Sequence, residues 1–133
     1  MRRLLAAALV VLATACGGDS SQRPLVVPGT YVLQTVNGLV LPYLIQASSP
    51  KVELTADQFV LVTGGTFTNH TTVRSTDGTA VTTSTFDETG TWTVNGTALS
   101  LTYADGTAVT GALTTDGTLT LTGTGLSALY RKQ

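Results

Sequence analysis

The chain is poor in the residues that do chemistry. Its 133 residues include one cysteine, one histidine, one methionine and one tryptophan. A zinc site needs several His, Cys or carboxylate ligands converging, so His70 alone makes none. No G-x-S-x-G elbow occurs, and Ser100 lies in LSLTY with no histidine near it in sequence. Gly64-Gly65 has no following Lys-Ser/Thr, so no phosphate-cradling loop is present. Charged residues are only 11% of the chain, with seven basic against eight acidic. That leaves no basic surface for nucleic acid. Disorder needs low hydrophobicity with high net charge, and neither condition holds. The length suits one domain.

What is abundant is threonine, about a fifth of the chain and far above ordinary usage. Thr is β-branched and solvates a strand face without a charge, so the bias itself argues for sheet. The clearest unit is GTWTVNGTALSLTY, Gly90 to Tyr103. Trp92, Val94, Leu99, Leu101 and Tyr103 alternate with Thr91, Thr93, Ser100 and Thr102 about an Asn95-Gly96 turn. Alternation at period two marks strands with one buried and one wet face.

Further turn dipeptides are Asn37-Gly38, Gly64-Gly65, Asp77-Gly78, Asp105-Gly106 and Asp116-Gly117. Strands are expected at 29–36, 51–54, 59–63, 66–75, 79–86, 107–113, 118–122 and 128–132, besides the central hairpin. In the first, Tyr31 and Leu33 point inward, and an irregularity lets Val36 join them. Residues 39–50 hold Pro42 and Pro50, and read as a strand ending, a helical turn or a loop closing one end. Leu41, Tyr43 and Leu44 are expected to plug that end. Tight turns between neighbours make an up-and-down meander, whose exposed edges closure would remove. The expected fold is all-β, an antiparallel meander closing into a barrel of about eight strands.

Residues 1–15 have the form of an export signal: Arg2 and Arg3, an apolar run from Leu4 to Ala13, then small residues before Cys16. The run is too short to span a bilayer as a mature helix. ATAC, with Leu12 before it, resembles the lipobox of bacterial lipoproteins, although Ala13 stands where that family more often has Leu. The resemblance implies a diacylglyceryl group on the Cys16 sulfur and cleavage before it. An unpaired thiol in an oxidising compartment would otherwise be a liability. Gly17 after the cysteine, by resemblance to enterobacterial sorting, favours the outer membrane where the organism has one. Residues 16–27 then form the anchored cysteine and a Gly-, Ser- and Pro-containing tether, of which 17–27 could reach about 36–40 Å. Leu25, Val26 and Val27 are expected to begin packing on the domain at 28–133.

The domain resembles the short lipocalin-like domains of bacterial lipoproteins. GTY at Gly29 and GTW at Gly90 are similar to the G-x-W signature of lipocalins, with Tyr31 in place of the usual Trp. The resemblance implies that Arg131, in ALYRK, closes the end of the barrel. The other lipocalin motifs and the C-terminal helix are missing, so it bears on architecture more than on ligand binding.

No catalytic residue, metal or cofactor is indicated. Asp77, Asp105 and Asp116 each precede glycine in a turn, which explains them. Asp87-Glu88 reads as a solvated loop, and His70 as an outward-facing surface residue. Asn69 and Thr71 share a face with Phe67 and Val73, opposite Val81, Thr83 and Thr85. Either they put polar groups inside the barrel, or the hairpin projects past the rim with both faces wet. Two functional readings follow. In the first, the barrel mouth binds a small, partly apolar ligand, lined by Tyr31, Phe59, Phe67, Asn69, Trp92, Leu101 and Tyr103. In the second, the barrel is filled and acts as an envelope structural or protein-interaction module, with no particular protein partner indicated. In both, the membrane is reached through lipid on Cys16. Cys16→Ser is therefore expected to move the protein from the membrane to the soluble fraction, and membrane retention of that variant would refute the anchor.

Overall fold

In the computed structural model, residues 24–123 and 125–133 are described. Turn residues of the expected kind reverse the chain onto the strand before. At Asn37-Gly38 both residues have positive φ, 50° and 77°, the geometry whose twist matches a tight hairpin. The resulting strands are β1 Gly29–Val36, β2 Leu39–Val40, β3 Tyr43–Gln46, β4 Lys51–Val62, β5 Thr66–Asp77, β6 Ala80–Asn95, β7 Ala98–Tyr103, β8 Ala108–Leu113, β9 Thr118–Gly123 and β10 Leu126–Lys132. No helix occurs among the described residues.

The strands form one antiparallel meander that closes on itself. β10 pairs with β1, and β1 pairs with β4 through Gly29↔Leu61 to Val32↔Gln58. Eight strands make the wall, while β2 and β3 are short additions on β1 and β4. The fold class read from the sequence therefore holds. So does the first strand in detail: Tyr31, Leu33 and Val36 are buried, and the register shifts between Leu33 and Thr35. That shift is a bulge, which lets an odd and an even position share one face.

Two expected breaks are absent. Residues 51–54 and 59–63 belong to the single strand β4, because a bulge between Leu54 and Ala56 absorbs the change of face. Residues 79–86 and the first half of the central hairpin are likewise one strand, β6, which places Asp87 and Glu88 within it. Their side chains are exposed on opposite faces, so two adjacent acids cost a strand little. A further turn at Gly125, φ 74°, separates β9 from β10.

The interior is packed. Tyr31, Leu33, Phe59, Leu61, Phe67, Leu99, Leu101, Leu113, Leu119 and Tyr130 are all at most 5% exposed. Phe59 meets Phe67 and Tyr130 edge-to-face at 5.6 and 5.4 Å between centroids, and Phe67 meets Tyr103 at 5.1 Å. Such pairs exceed plain burial by about 0.5–1.5 kcal/mol each. Gly90 makes room for them: a Cβ there would strike Thr102 O and the Phe67 ring. The glycine of GTW is thus explained by a ring on the neighbouring strand.

The end of the barrel near the N-terminal segment is closed by Lys132. Its Nζ donates to Val26 O at 2.7 Å and stands 5.8 Å from the Tyr31 ring centroid. Arg131, expected in that role, is exposed on the outer wall between Val32 and Thr118. Strand alternation decides this, since Tyr130 and Lys132 face inward and the residue between them cannot. Val27 is buried and its carbonyl accepts from Tyr31 OH at 2.6 Å; Leu25 packs on the core, whereas Val26 is exposed. Trp92 is only partly buried at this same end, with its indole N–H donating to Val62 O at 3.0 Å. Phe59→Ala should therefore destabilise by about 3–5 kcal/mol and Trp92→Ala by less. Urea denaturation of both variants checks the order.

Candidate functional site

The strands differ in length, and the site follows from that difference. β1 leaves β4 after Val32, while β4, β5 and the first half of β6 run on toward the Asp77-Gly78 turn. The barrel is closed at the end bearing Val27 and Lys132 and opens at the other.

Just below the opening is a buried polar array centred on Asp57, which is 7% exposed. Oδ1 accepts from Asn69 Nδ2 at 2.9 Å and from Thr71 Oγ at 2.5 Å, and Oδ2 accepts from Tyr130 OH at 2.6 Å. Asn69 Nδ2 also donates to Gln58 O at 3.1 Å, and Tyr103 OH donates to Asn69 Oδ1 at 3.4 Å. Among the described residues, no buried side-chain nitrogen or oxygen lacks a partner. An orphan amide would cost about 1–3 kcal/mol and a bare carboxylate more. The array removes that cost through its own side chains and the Gln58 carbonyl.

The expected facing of the long hairpin is half right: Thr71 pairs with Phe86 and Val73 with Ser84, so Val81, Thr83 and Thr85 lie on the outer face and not opposite Asn69 and Thr71. Asn69 and Thr71 on β5 face inward, whereas Val81, Thr83, Thr85 and Phe86 on β6 are exposed beyond the rim. Asp57 was missed because residues 55–58 fell between two supposed strands. The available signal was its alternation with Phe59 and Leu61.

Above the array lies an apolar groove of about 330 Å³, lined by Val36, Tyr43, Leu44, Ile45, Leu54 and Leu126. Tyr43 and Leu41 pack on the core as expected. Leu44, expected to join that plug, is 46% exposed, with Ile45 at 56% and Leu126 at 51%. Leu44 pairs with Glu53 and so stands on the outer side of the sheet, while the register shift between Leu44 and Gln46 leaves Ile45 unpaired at the edge of the groove. The rim carries one hydroxyl, Tyr43 OH, which accepts from Asn37 Nδ2 at 3.4 Å.

The ligand-lining residues expected from the sequence are distributed differently. Tyr31, Phe59, Phe67 and Leu101 are buried in the filled interior, Asn69 belongs to the Asp57 array, Tyr103 is partly buried beside it, and Trp92 lies at the closed end. None of the seven lines the apolar groove, but Phe67 and Tyr103 line a separate groove of about 460 Å³ on the wall, between Thr66, Thr89, Thr102 and Ala104. A groove of about 410 Å³ at the closed end is walled by Pro24, Leu25 and Val26 of the chain's own N-terminal segment.

His70 faces outward, as expected, and its Nδ1 is 2.6 Å from Asp87 Oδ1 across the β5–β6 pair. On the outer face Glu53 holds Lys51 and Arg74 at 2.8 and 2.7 Å. The hydrogen bonds from Lys51 and then Arg74 keep its carboxyl below the usual range.

No family model matches the chain, and no curated protein matches it. It is similar to a solved structure of an uncharacterized protein from Bacteroides eggerthii DSM 20697, with a TM-score of 0.47 and 12% identity over 80% of this chain and 98% of that one. The closed eight-stranded meander described above is consistent with a lipocalin-like fold. Cys16 and the signal at 1–15 lie outside the described residues.

The buried tyrosines make the barrel sensitive to alkali. Burial, then the charges of Asp57, Glu88 and Asp105, push Tyr103 up to about 12 from 10.0. Burial first, and then the Asp57 charge and hydrogen bond, raise Tyr130 as well. A tyrosine whose folded pKa exceeds its unfolded one contributes stability that is intact below the unfolded value and lost as pH rises through the folded one. Stability should therefore fall between pH 10 and about 12, with a shallower fall in Tyr103→Phe. Melting temperatures across that range check it, and identical slopes would contradict it.

Proposed function

We propose that this chain is an exported, lipid-anchored, non-catalytic binding protein that takes a small, largely apolar ligand at the open end of its barrel. The observation that carries the reading is the groove bounded by Tyr43, Ile45, Leu54 and Leu126 above the satisfied Asp57 array. Its volume of about 330 Å³ falls at the lower end of the range typical of small-ligand pockets, about 300–1,000 Å³. Its lining supplies apolar surface, and the Tyr43 hydroxyl at its rim supplies a polar contact. The ligand is then an aliphatic or aromatic group with a small polar end, held in the mouth and not within the packed interior. The lipobox-like ATAC at 13–16 supports the address: a lipid on Cys16 would hold the domain at the envelope surface.

A second reading is favoured by the filled interior: a structural or protein-interaction module that binds no small molecule. Titration of the Cys16→Ser chain with the apolar fluorophore N-phenyl-1-naphthylamine separates the two. Ligand binding predicts saturable enhancement that Ile45→Asp weakens by about tenfold or more, the factor equivalent to about 1.4 kcal/mol of lost burial. Trp92 emission should stay unchanged, because the indole is at the opposite end. Linear, non-saturating enhancement, indifferent to Ile45→Asp, would decide for the second reading.

A further inference from the structure

The first half of β6 has a partner on one side only. β5 pairs with it from Ala80 to Thr91 in regular register, but β7 pairs only from Gly90 onward. Residues Ala80 to Glu88 therefore form an open sheet edge. Its orientation follows from two bonds: Ala104 N–H donates to Thr89 O at 3.0 Å on the β7 side, and Trp92 N–H donates to Gly65 O at 2.8 Å on the β5 side. In an antiparallel ladder a residue's N–H and C=O point the same way and alternate along the strand. Val81, Thr83, Thr85 and Asp87 thus turn their backbone groups to the open edge.

The edges at the two ends of the strand order are short, two residues in β2 and four in β3, whereas this one is long and unguarded. β3 is four residues long, irregular at Ile45, and bracketed by Pro42 and Pro50. Short length, bulges and prolines are the usual defences of an edge, together with lysine. Ala80 to Glu88 has no Lys, Arg or Pro, and no bulge interrupts its pairing with β5.

We propose that this edge pairs with the same edge of a second copy, joining two domains through an antiparallel β6–β6 ladder about a two-fold axis at Ser84. Ser84 is the midpoint of the free run, so this register gives the greatest overlap. It sets Thr85 opposite Thr83 of the other copy, Phe86 opposite Thr82, Asp87 opposite Val81 and Glu88 opposite Ala80. The parity is consistent, because every residue with edge-facing backbone groups meets another of the same kind. Charge selects the antiparallel arrangement. A parallel in-register pair would stack Asp87 and Glu88 on their own copies. Here each acid meets an uncharged residue, and the two Asp87 side chains stand about 20 Å apart, at about 3.4 Å per residue. That exceeds twice the physiological Debye length of about 8 Å. Thr–Thr pairs across the ladder contribute as cross-strand neighbours do. Phe86 and Val81, 54% and 60% exposed, gain neighbours on their respective faces. The interface is isologous, as a closed dimer requires.

Disulfide trapping in the intact, exported full chain tests both the pairing and its register, because the wild-type sequence has no cysteine besides Cys16. Ser84→Cys, on the axis, should oxidise to a covalent dimer, while Glu88→Cys alone should not. Co-expressed Ala80→Cys and Glu88→Cys chains should cross-link to each other. Thr85→Pro removes an edge-facing N–H without touching the β5 ladder, and should abolish trapping at Ser84→Cys while leaving the melting temperature of the monomer near that of the parent. The comparison of Ser84→Cys with Glu88→Cys does not depend on the proline variant folding. Equal trapping at the two positions, or a monomer at every concentration in sedimentation velocity, would overturn the proposal. Cross-linking of Ser84→Cys to another polypeptide in place of its own copy would also overturn it, in favour of a foreign strand on the same edge.

Discussion

Pairing of Gly29–Val32 with Gln58–Leu61 is the contact on which this molecule depends. Without it the strands would form an open, twisted sheet with two long edges and an apolar face exposed to water. With it, eight strands enclose a core of rings and leucines small enough to be filled by its own side chains. The pairing is short, and its shortness shapes the rest. Because β1 turns away at Val32, the wall is complete at one end only, and β4, β5 and β6 overhang at the other. The mouth and the apolar groove follow from that mismatch in strand length, and the free run of β6 follows from a second one, since β7 pairs with it only from Gly90 onward.

The Asp57 array lies where the closed barrel gives way to that overhang. A carboxylate so deep would destabilise the fold if it stood alone. Here Asn69, Thr71 and Tyr130 direct three donors at its two oxygens from two different strands, and Tyr103 adds a bond to Asn69. The same bonds tie β4 to β5 and to β10 across the barrel. The array therefore braces the wall just below the point where β1 leaves β4. The free edge of β6 looks outward from the same overhang, so pairing there would leave the groove accessible from the side of Tyr43 and Leu126.

Much of this was legible in the residues because it is local. Dipeptides such as Asn37-Gly38 and Asn95-Gly96 take turn angles for intrinsic steric reasons, and strict alternation in GTWTVNGTALSLTY assigns a face to each side chain whatever the neighbours are. Even the bulge in β1 showed, since Tyr31, Leu33 and Val36 cannot otherwise share a face. Meander order, antiparallel sense and barrel class follow from such features. Residues whose pattern is broken read poorly. The bulge at Thr55 split β4 into two apparent strands and hid Asp57. The acids at 87–88 looked like a loop in the middle of β6.

The sequence by itself determined most of the strand segments, where most of them turn, most of the apolar residues that face inward, and the ATAC pattern at residues 13–16. Only the tertiary structure decided that Lys132 and not Arg131 closes one end, that Leu44 is exposed, that Asn69 and Thr71 find a carboxylate, and that β6 outruns β7. The physical reason is the range of the interactions. Turn angles and alternation are set within a few residues, whereas overhang, closure and the partner of a buried polar group depend on strands brought together from distant parts of the chain.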